Sequence, residues 1–395
     1  MKKLALVLIL TSSAAQAGGL AVAEQNAVSA GTGGAGAGRD DDAGAAWHAP
    51  AALADGGGWR VGLSLAFAHP ALQARGDDWS TDTESAWATP PHLDASFAHD
   101  QWAAGVAVGV PFGGGVTWPA TWPGATQAVR SDLMVIRVAP FAAYRLGPLR
   151  IAAGAHVDAG RLQIERNLDF IDMQGDVRLD LAGQGVGVDA SAYYVPRPDL
   201  GIGLTYRGRT TIAFDGNANF TAPDAFSEKT PDQTAATSMT MPDQIVLGAR
   251  WRRGALTALV DLEYTRWSVN DRTTVDFTED ATPNAIQENG WHDTATFRTG
   301  VEWKSGETIV GRAGGYYDPS PVPAEHLTPS SPDATRVAAT AGASWRFAAA
   351  WTADVFGEHM WLLRRDTTSV DTMPASYGGT AIVLGAGVRW TPATR

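Results

Sequence analysis

The sequence predicts an all-β chain, a 14-stranded antiparallel transmembrane β-barrel, on three observations. Segments with two-residue alternation of apolar and polar side chains follow one another almost to the end. The connections between them alternate between short and long. Aromatic residues gather at the short-connection ends of the apolar faces. Period two gives each strand one apolar and one polar face, and an even strand count with alternating turn lengths is the pattern of an outer-membrane barrel.

Taken in order, residues 1–17 read as an export signal. Lys2 and Lys3 precede an apolar run from Leu4 to Leu10, and Ala15-Gln16-Ala17 forms a small-residue cleavage site. That run is too short to cross a bilayer, and no later stretch supplies the ~20 apolar residues of a membrane helix. Residues 18–58 are dominated by Gly and Ala around a charged knot, Arg39-Asp40-Asp41-Asp42, with too little bulky apolar surface to fold alone. Residues 59–390 hold fourteen alternating segments, centred near Leu63, Ala95, Val106, Val138, Ala153, Val188, Leu204, Leu247, Val260, Val301, Ala313, Ala341, Val355 and Leu384. In the clearest, Leu256, Ala258, Val260, Leu262 and Tyr264 alternate with Thr257, Asp261, Glu263 and Thr265. Short connections lie around Asp100, Gly147, Pro196 to Pro198, Arg252 to Gly254, Ser305-Gly306 and Ala348 to Ala350. Long ones cover roughly residues 69 to 91, 111 to 131, 165 to 178, 208 to 238, 270 to 292, 317 to 335 and 365 to 379. Tight turns are expected in the periplasm and long loops outside the cell, which leaves both termini periplasmic. Residues 391–395 form a short tail.

Aromatic placement supports this order. Trp59, Phe97, Trp102, Tyr144, Tyr194, Trp251, Trp303, Trp345, Trp351 and Trp390 each occupy the apolar parity at the expected periplasmic end of a strand, where amphipathic rings meet the lipid interface. In hydrocarbon every backbone N–H and C=O must pair, and for strands only a closed barrel achieves this.

Composition narrows the chemistry. With no cysteine, disulfides and thiolate metal sites are excluded. The net charge of −12, or −14 without Lys2 and Lys3, argues against nucleic acid, which needs clustered cations. No cofactor, metal or enzymatic activity is expected: the His residues are dispersed, and neither a GxSxG nor an HExxH motif occurs. Gly31-Thr32-Gly33-Gly34-Ala35-Gly36 spells GxGxxG, but no strand precedes it and no helix follows.

Short motifs then stand in a fixed order: Met241-Pro242-Asp243, Val260-Asp261-Leu262-Glu263-Tyr264-Thr265-Arg266-Trp267-Ser268, Trp291-His292-Asp293, Phe297-Arg298-Thr299-Gly300, Arg312-Ala313-Gly314, Tyr317-Asp318-Pro319-Ser320-Pro321-Val322-Pro323, and Pro332-Asp333 with Arg336. With Pro111-Phe112-Gly113 and the Gly-rich start through Asp41-Asp42-Ala43, they resemble the FadL-like family of long-chain fatty-acid and aromatic-hydrocarbon outer-membrane transporters (OmpP1/FadL/TodX) over nearly the whole mature chain. The resemblance implies a fourteen-stranded barrel plugged in its lumen by an N-terminal hatch, here residues 18–58. It also implies passive uptake of hydrophobic compounds, long-chain fatty acids first among them, across the outer membrane of a Gram-negative bacterium. Ligand would be caught in an extracellular apolar groove, passed to a luminal pocket and released laterally, by hatch movement, through a gap at a distorted third strand. Uptake of monoaromatic hydrocarbons or alkanes by the same route is the alternative within the family, and a water-filled porin the alternative outside it. The implied partners are hydrophobic small molecules, outer-membrane lipid and the barrel-assembly machinery, around a monomer. Two departures stand out. The family's Asn-Pro-Ala reads Ala49-Pro50-Ala51, which keeps Pro50 and Ala51 and leaves His48 as the expected stand-in for the lost amide. Thr391 to Arg395 also follow the last aromatic, Trp390, where the family usually stops.

A hydrophobic ligand gains about 0.8 kcal/mol per buried CH₂, so an acyl chain needs an apolar trough and one polar anchor. Leu168, Phe170, Ile171 and Met173 in the third long loop, with Phe214, Phe220 and Phe226 around the fourth, are the trough candidates, against the plainer reading that they pack the loops together. Arg298, Arg312 and Arg336 fall on or near inward positions and are the candidates for a carboxylate anchor. Asp261, Glu263, Glu302, Asp354 and Glu358 share that lumen, so ion pairing competes for them. Gly105, Gly109 and Pro111 mark the expected wall defect, since Gly weakens a strand and Pro withholds a ladder donor; the plainer reading is that small residues make room for the hatch. Asp40, Asp41 and Asp42 are expected as solvated hatch surface rather than a cation site.

Overall fold

The computed structural model describes residues 19–55, 57–84, 86–170, 174–226, 228, 230–279, 282–370 and 372–392. The export signal, Gly18, Ile171, Met173 and the end of the tail therefore lie outside the described residues. Fourteen strands form the barrel: β1 (Gly58–Arg75), β2 (Pro91–His99), β3 (Trp102–Thr117), β4 (Arg130–Leu146), β5 (Leu149–Asp169), β6 (Gln174–Arg197), β7 (Leu200–Arg207), β8 (Gln244–Arg253), β9 (Leu256–Thr265), β10 (Thr294–Ser305), β11 (Ile309–Asp318), β12 (Arg336–Ala348), β13 (Trp351–Asp366) and β14 (Ser376–Trp390). Each pairs antiparallel with the next. The ladder from Val61↔Trp390 to Arg75↔Ser376 joins β1 to β14 and closes the cylinder. Each expected segment centre falls in its own strand, in order.

Alternation here runs opposite to that of a water-soluble protein. Leu63, Val186, Val188, Leu247, Val301 and Leu384 face outward and are exposed, whereas Arg137, Asp158, Asp261, Glu302 and Asp354 face the bore and are buried. Exposed Leu and Val around buried charge suits a wall with hydrocarbon outside. The aromatic row is outward too, with Trp102 61% and Trp303 65% exposed. Its members pair across strands, Trp59 with Phe97 at 5.1 Å and Trp102 with Tyr144 at 4.4 Å between ring centroids.

The expected loop at 165 to 178 is instead a continued hairpin, because β5 and β6 stay paired as far as Asp169↔Gln174. Alternation does not stop there: Leu162 on β5 and Val177, Leu179 and Leu181 on β6 keep one buried face. The next two long connections also contain strands, 210–221 with 233–241 and 272–277 with 285–288, which add to the β6 edge. The resulting sheet prolongs one side of the barrel past the long-connection end.

Residues 19–55 lie inside the bore, almost wholly buried. Two single-turn helices, α1 (Ala27–Ala30) and α2 (Ala45–His48), precede a 3₁₀ turn at Pro50–Asp55. Asn26 caps α1, its side chain accepting from the Val28 and Ser29 amides at 3.1 and 2.9 Å. The Gly/Ala composition has a steric cause. Gly33 has φ +66° and runs so close to the wall that a Cβ would sit 2.5 Å from the Gly315 backbone.

The charged knot is solvated only in part: Asp41 is exposed and Asp40 half-buried, whereas Arg39 and Asp42 are 2% and 4% exposed, and the knot docks on barrel side chains. Arg39 Nη2 donates to Glu302 at 2.9 Å, Arg252 donates to Asp40 and Asp41 at 2.9 and 2.6 Å, and Arg250 donates to Asp40. Sequence reasoning missed this because the partners lie more than two hundred residues away along the chain.

Candidate functional site

An apolar cavity with about 690 Å³ of space, counted out to its mouth, lies between residues 21–24 and the upper halves of the strands. Ala66 and Ala68 of β1, Val110 of β3, Met134 of β4, Met360 of β13 and Val383 of β14 line it. Its ionisable groups are Glu24 and Arg336. Such a chamber, apolar with few polar groups, is the ordinary form of a site for a hydrophobic ligand.

Local sequence explains why this part of the lumen is apolar. On β4, Leu133-Met134-Val135-Ile136 is apolar on both parities, as are Met360-Trp361-Leu362-Leu363 on β13 and Ala381-Ile382-Val383-Leu384 on β14. Where alternation lapses inside a barrel strand, both the lipid face and the bore face are greasy. That signal was in the sequence and went unread, so the lining residues were missed.

The wall beside the cavity is irregular. The β2–β3 ladder runs only from Leu93↔Val108 to His99↔Trp102, so the rest of β3 lacks β2 as a partner. On its other side β3 shifts register against β4 between Gly109 and Phe112. The start of the luminal segment fills the vacated edge: Val22 N–H donates to Pro111 O at 3.0 Å, Gly113 N–H donates to Leu20 O at 2.8 Å, and Ala21 bridges Phe112. Pro90 and Pro91 lie just before and at the start of β2. Proline supplies no ladder donor, so these positions favour a break.

The irregularity therefore centres on Val110 and Pro111, next to the expected glycines. Gly109 faces inward, and a Cβ there would lie 2.7 Å from Gln25 Oε1 and 3.2 Å from the Trp47 ring. At Gly105 a Cβ would lie 2.8 Å from Phe141 Cζ. Gly109 thus lies against the hatch, whereas Gly105 lies against wall atoms of Ala95 and Phe141.

Above the cavity the long connections fold inward as an aromatic lid. Trp118 and Trp122 stack at 4.7 Å, and Trp118 Nε1 donates to Pro329 O at 3.0 Å. Trp267 packs edge-on against Phe112 at 5.9 Å and Trp291 at 5.3 Å. None of these tryptophans was among the trough candidates. Of those that were, Phe214 is buried within the sheet extension, while Leu168 and Phe220 pack on the edge of the same core. Phe170 and Phe226 meet at 4.9 Å near the hairpin tip. These residues do not line the luminal cavity.

The three candidate anchors separate. Arg336 alone lines the cavity; its Nε donates to Asp318 at 3.0 Å and its Nη1 to Ala21 O at 3.0 Å. Arg312 is taken by Glu302 at 2.6 Å, and Arg298 stands 3.6 Å from Glu263 and 5.3 Å from the Tyr316 ring. His48 Nε2 lies 2.9 Å from Ser29 Oγ, tying α2 to α1, while its carbonyl accepts from Thr205 at 2.8 Å. Pro50 and Ala51 open the 3₁₀ turn, which packs on the alanines of β2, β3 and β5. In the loop before β12, Asp333 accepts from the Gly19 amide at 3.0 Å and from Ser320. Burial pushes its carboxyl pKa up to about 6, against the opposing pull of those donors and Arg336.

A closed antiparallel cylinder with an apolar skin, an aromatic row and a bore filled by its own N-terminal segment defines a plugged barrel of the outer-membrane class. Residues 8–391 match the family of outer membrane protein transport proteins (OMPP1/FadL/TodX), and the chain belongs to that family. It is similar to a long-chain fatty acid transport protein of Salmonella typhi, at 25% identity over 293 residues and 67% of each chain. Among solved structures, a FadL homologue of Pseudomonas aeruginosa superposes with a TM-score of 0.86 at 18% identity, covering 94% of this chain and 99% of that one. The toluene transporter TodX of P. putida gives 0.75 at 16% identity, covering 94% and 99%. The protein is thus an outer-membrane transporter for hydrophobic compounds.

Proposed function

We propose that the protein takes up long-chain fatty acids passively, by capture at the long-connection end, transfer to the luminal cavity and lateral release beside β3 when the N-terminal hatch moves. The carrying observation is the cavity itself, apolar around one cation, Arg336, and one acid, Glu24, and bounded by the β3 irregularity that Leu20, Ala21 and Val22 stopper. The long connections are taken to face outside and both termini the periplasm, since tight turns belong on the periplasmic side of such barrels. The relatives' own substrates support the apolar character of the cargo: a long-chain fatty acid for one, toluene for another. An acid would need a donor such as Arg336, which lines the chamber but is already held by Asp318, so the choice of an acid over a neutral hydrocarbon rests on the fatty-acid relative.

Fatty-acid binding to the purified protein tests this reading. Ala66→Phe, which intrudes on the cavity, is expected to abolish saturable binding of a long-chain fatty acid while leaving the folded barrel intact on gels. Equal binding by the variant, or preferential binding of toluene by the parent, would overturn it. Steady conductance in planar bilayers would instead favour a water-filled porin.

A further inference from the structure

Arg207 ends β7 with its side chain in the lumen, and the residue is 8% exposed. The neighbouring bore arginines have carboxylate partners: Arg137 holds Asp158 through two bonds of 2.8 Å, Arg312 holds Glu302, and Arg336 holds Asp318. Arg207 forms no ion pair with a described residue at 4.0 Å or less. Its Nη2 donates to the Trp47 carbonyl at 3.2 Å, and its guanidinium stands 5.6 Å from the Trp47 ring centroid. Two positions back on the same face, Thr205 donates to the next hatch carbonyl, that of His48. These contacts fasten the hatch backbone just before Pro50.

The guanidinium also opens on a second cavity with about 370 Å³ of space, counted out to its mouth, bounded by Trp47 and Pro50 of the hatch and by Ala107, Ala139, Phe141 and the Asp158-paired Arg137 of the wall. Asp189 faces it too, but its carboxylate is already held by His156 Nδ1 at 2.9 Å. Along this wall the β4–β5 ladder passes from Val138↔Val157 to Phe141↔Gly154 without pairing Ala139 or Pro140. The chamber thus combines apolar walls, a slack stretch of sheet and a buried cation whose acceptor is a neutral carbonyl.

We propose that Arg207 is a carboxylate-sensing latch: the ionised head of an amphiphilic acid reaching this cavity takes Arg207 from the Trp47 carbonyl and releases the hatch around His48 to Pro50. The inference rests on the fatty-acid reading above and adds the step that couples cargo to hatch. A neutral carbonyl at 3.2 Å is a weak competitor, because guanidinium–carboxylate bonds are shorter and roughly twice as strong as neutral ones. A ligand shifts a conformational equilibrium only by its differential affinity for the two states. A carboxylate gains that difference by binding Arg207 when the hatch has let go, and a hydrocarbon or alcohol gains none of it.

The test is hydrogen exchange across residues 44–50 of the detergent-solubilised full-length protein, with palmitate or the alcohol of the same chain length, alongside direct binding of each. Palmitate is expected to speed exchange there about tenfold, the equivalent of one charge-assisted hydrogen bond. The alcohol should not, and Arg207→Gln should abolish the palmitate response. Arg207→Lys keeps the charge but not the fork, so a reduced response is expected; it also serves as the test if Arg207→Gln does not yield a heat-modifiable, folded barrel. Palmitate binding with equal exchange effects from acid and alcohol, or a wild-type response in Arg207→Gln, overturns the latch and leaves the transport reading standing. Failure of the wild-type protein to bind palmitate at all overturns both.

Discussion

Two sides of the bore hold the luminal segment in different ways. Toward β8 and β10 the walls are regular ladders and the attachment is ionic, with Arg39 on Glu302 and Asp40 and Asp41 on Arg250 and Arg252. Toward β2, β3 and β4 the ladders are broken, and the attachment is backbone hydrogen bonds at Leu20 and Val22, the Gln25 amide on the Val110 carbonyl at 2.8 Å, apolar contacts, and a solvent-accessible Asp55–Arg145 contact at 3.9 Å. Buried ion pairs resist being broken, because each loss strands a charge, whereas backbone bonds at a sheet edge exchange for others at modest cost. On the proposed release route, the ionic side would be the fastening and the other the side that gives way.

The largest effect is expected on the ionic side. Glu302→Ala leaves Arg39 and Arg312 buried without their shared carboxylate, and should destabilise the hatch by about 3–5 kcal/mol. Exchange of residues 36–44 would report it, and the comparison breaks if protection there is unchanged.

A second effect comes from Asp333, in the loop before β12, which anchors Gly19 at the start of the luminal segment. Its folded pKa, about 6, lies above the ordinary carboxyl value, so the native state binds a proton more readily than the unfolded chain. Its contribution to stability is therefore most favourable below the unfolded pKa, and falls as pH rises from near 4 to near 6. At roughly 1.4 kcal/mol per unit the change is on the order of 2–3 kcal/mol. Asp333→Asn should remove it, as a flatter dependence of urea midpoint on pH in that window; an unchanged slope would reject the assignment.

Less of the structure was legible in the sequence where the chain faces itself than where it faces lipid. The fourteen strands and their order followed from alternation, since the lipid face tolerates almost no polar side chain. Glu302 and Arg39, by contrast, meet only after the cylinder closes, and their spacing of 263 residues carries no local signal. The loop region divided similarly. Phe214 was expected either to meet ligand or to pack the loops, and a bulky side chain in a strand reads the same in both cases; it packs on Gly160. Leu133 and Met360 were recoverable, because apolar residues on the bore parity are the exception in such a strand.

Gly109→Leu sharpens the comparison on the weak side. It would force side-chain atoms onto Gln25 and Trp47, and the expected cost is about 1–3 kcal/mol with altered uptake. The same change at outward-facing Ala104 should do little, and equal effects at both positions would count against an inward role. The smallest effect is expected at the hairpin tip. Phe226→Ala removes the contact with Phe170, costing about 0.5–1.5 kcal/mol at most. Cargo capture at low concentration should weaken slightly with transport at saturation preserved.

The weak side offers the most direct test of the whole account. The chain has no cysteine, and Ala21 and Phe112 are bridge partners at the stoppered edge, so Ala21→Cys with Phe112→Cys places two thiols where a disulfide can join hatch to wall. Uptake of labelled fatty acid by cells should be lost when that pair is oxidised and return on reduction. Undiminished uptake through the fully cross-linked protein would contradict release beside β3 by movement of the luminal segment.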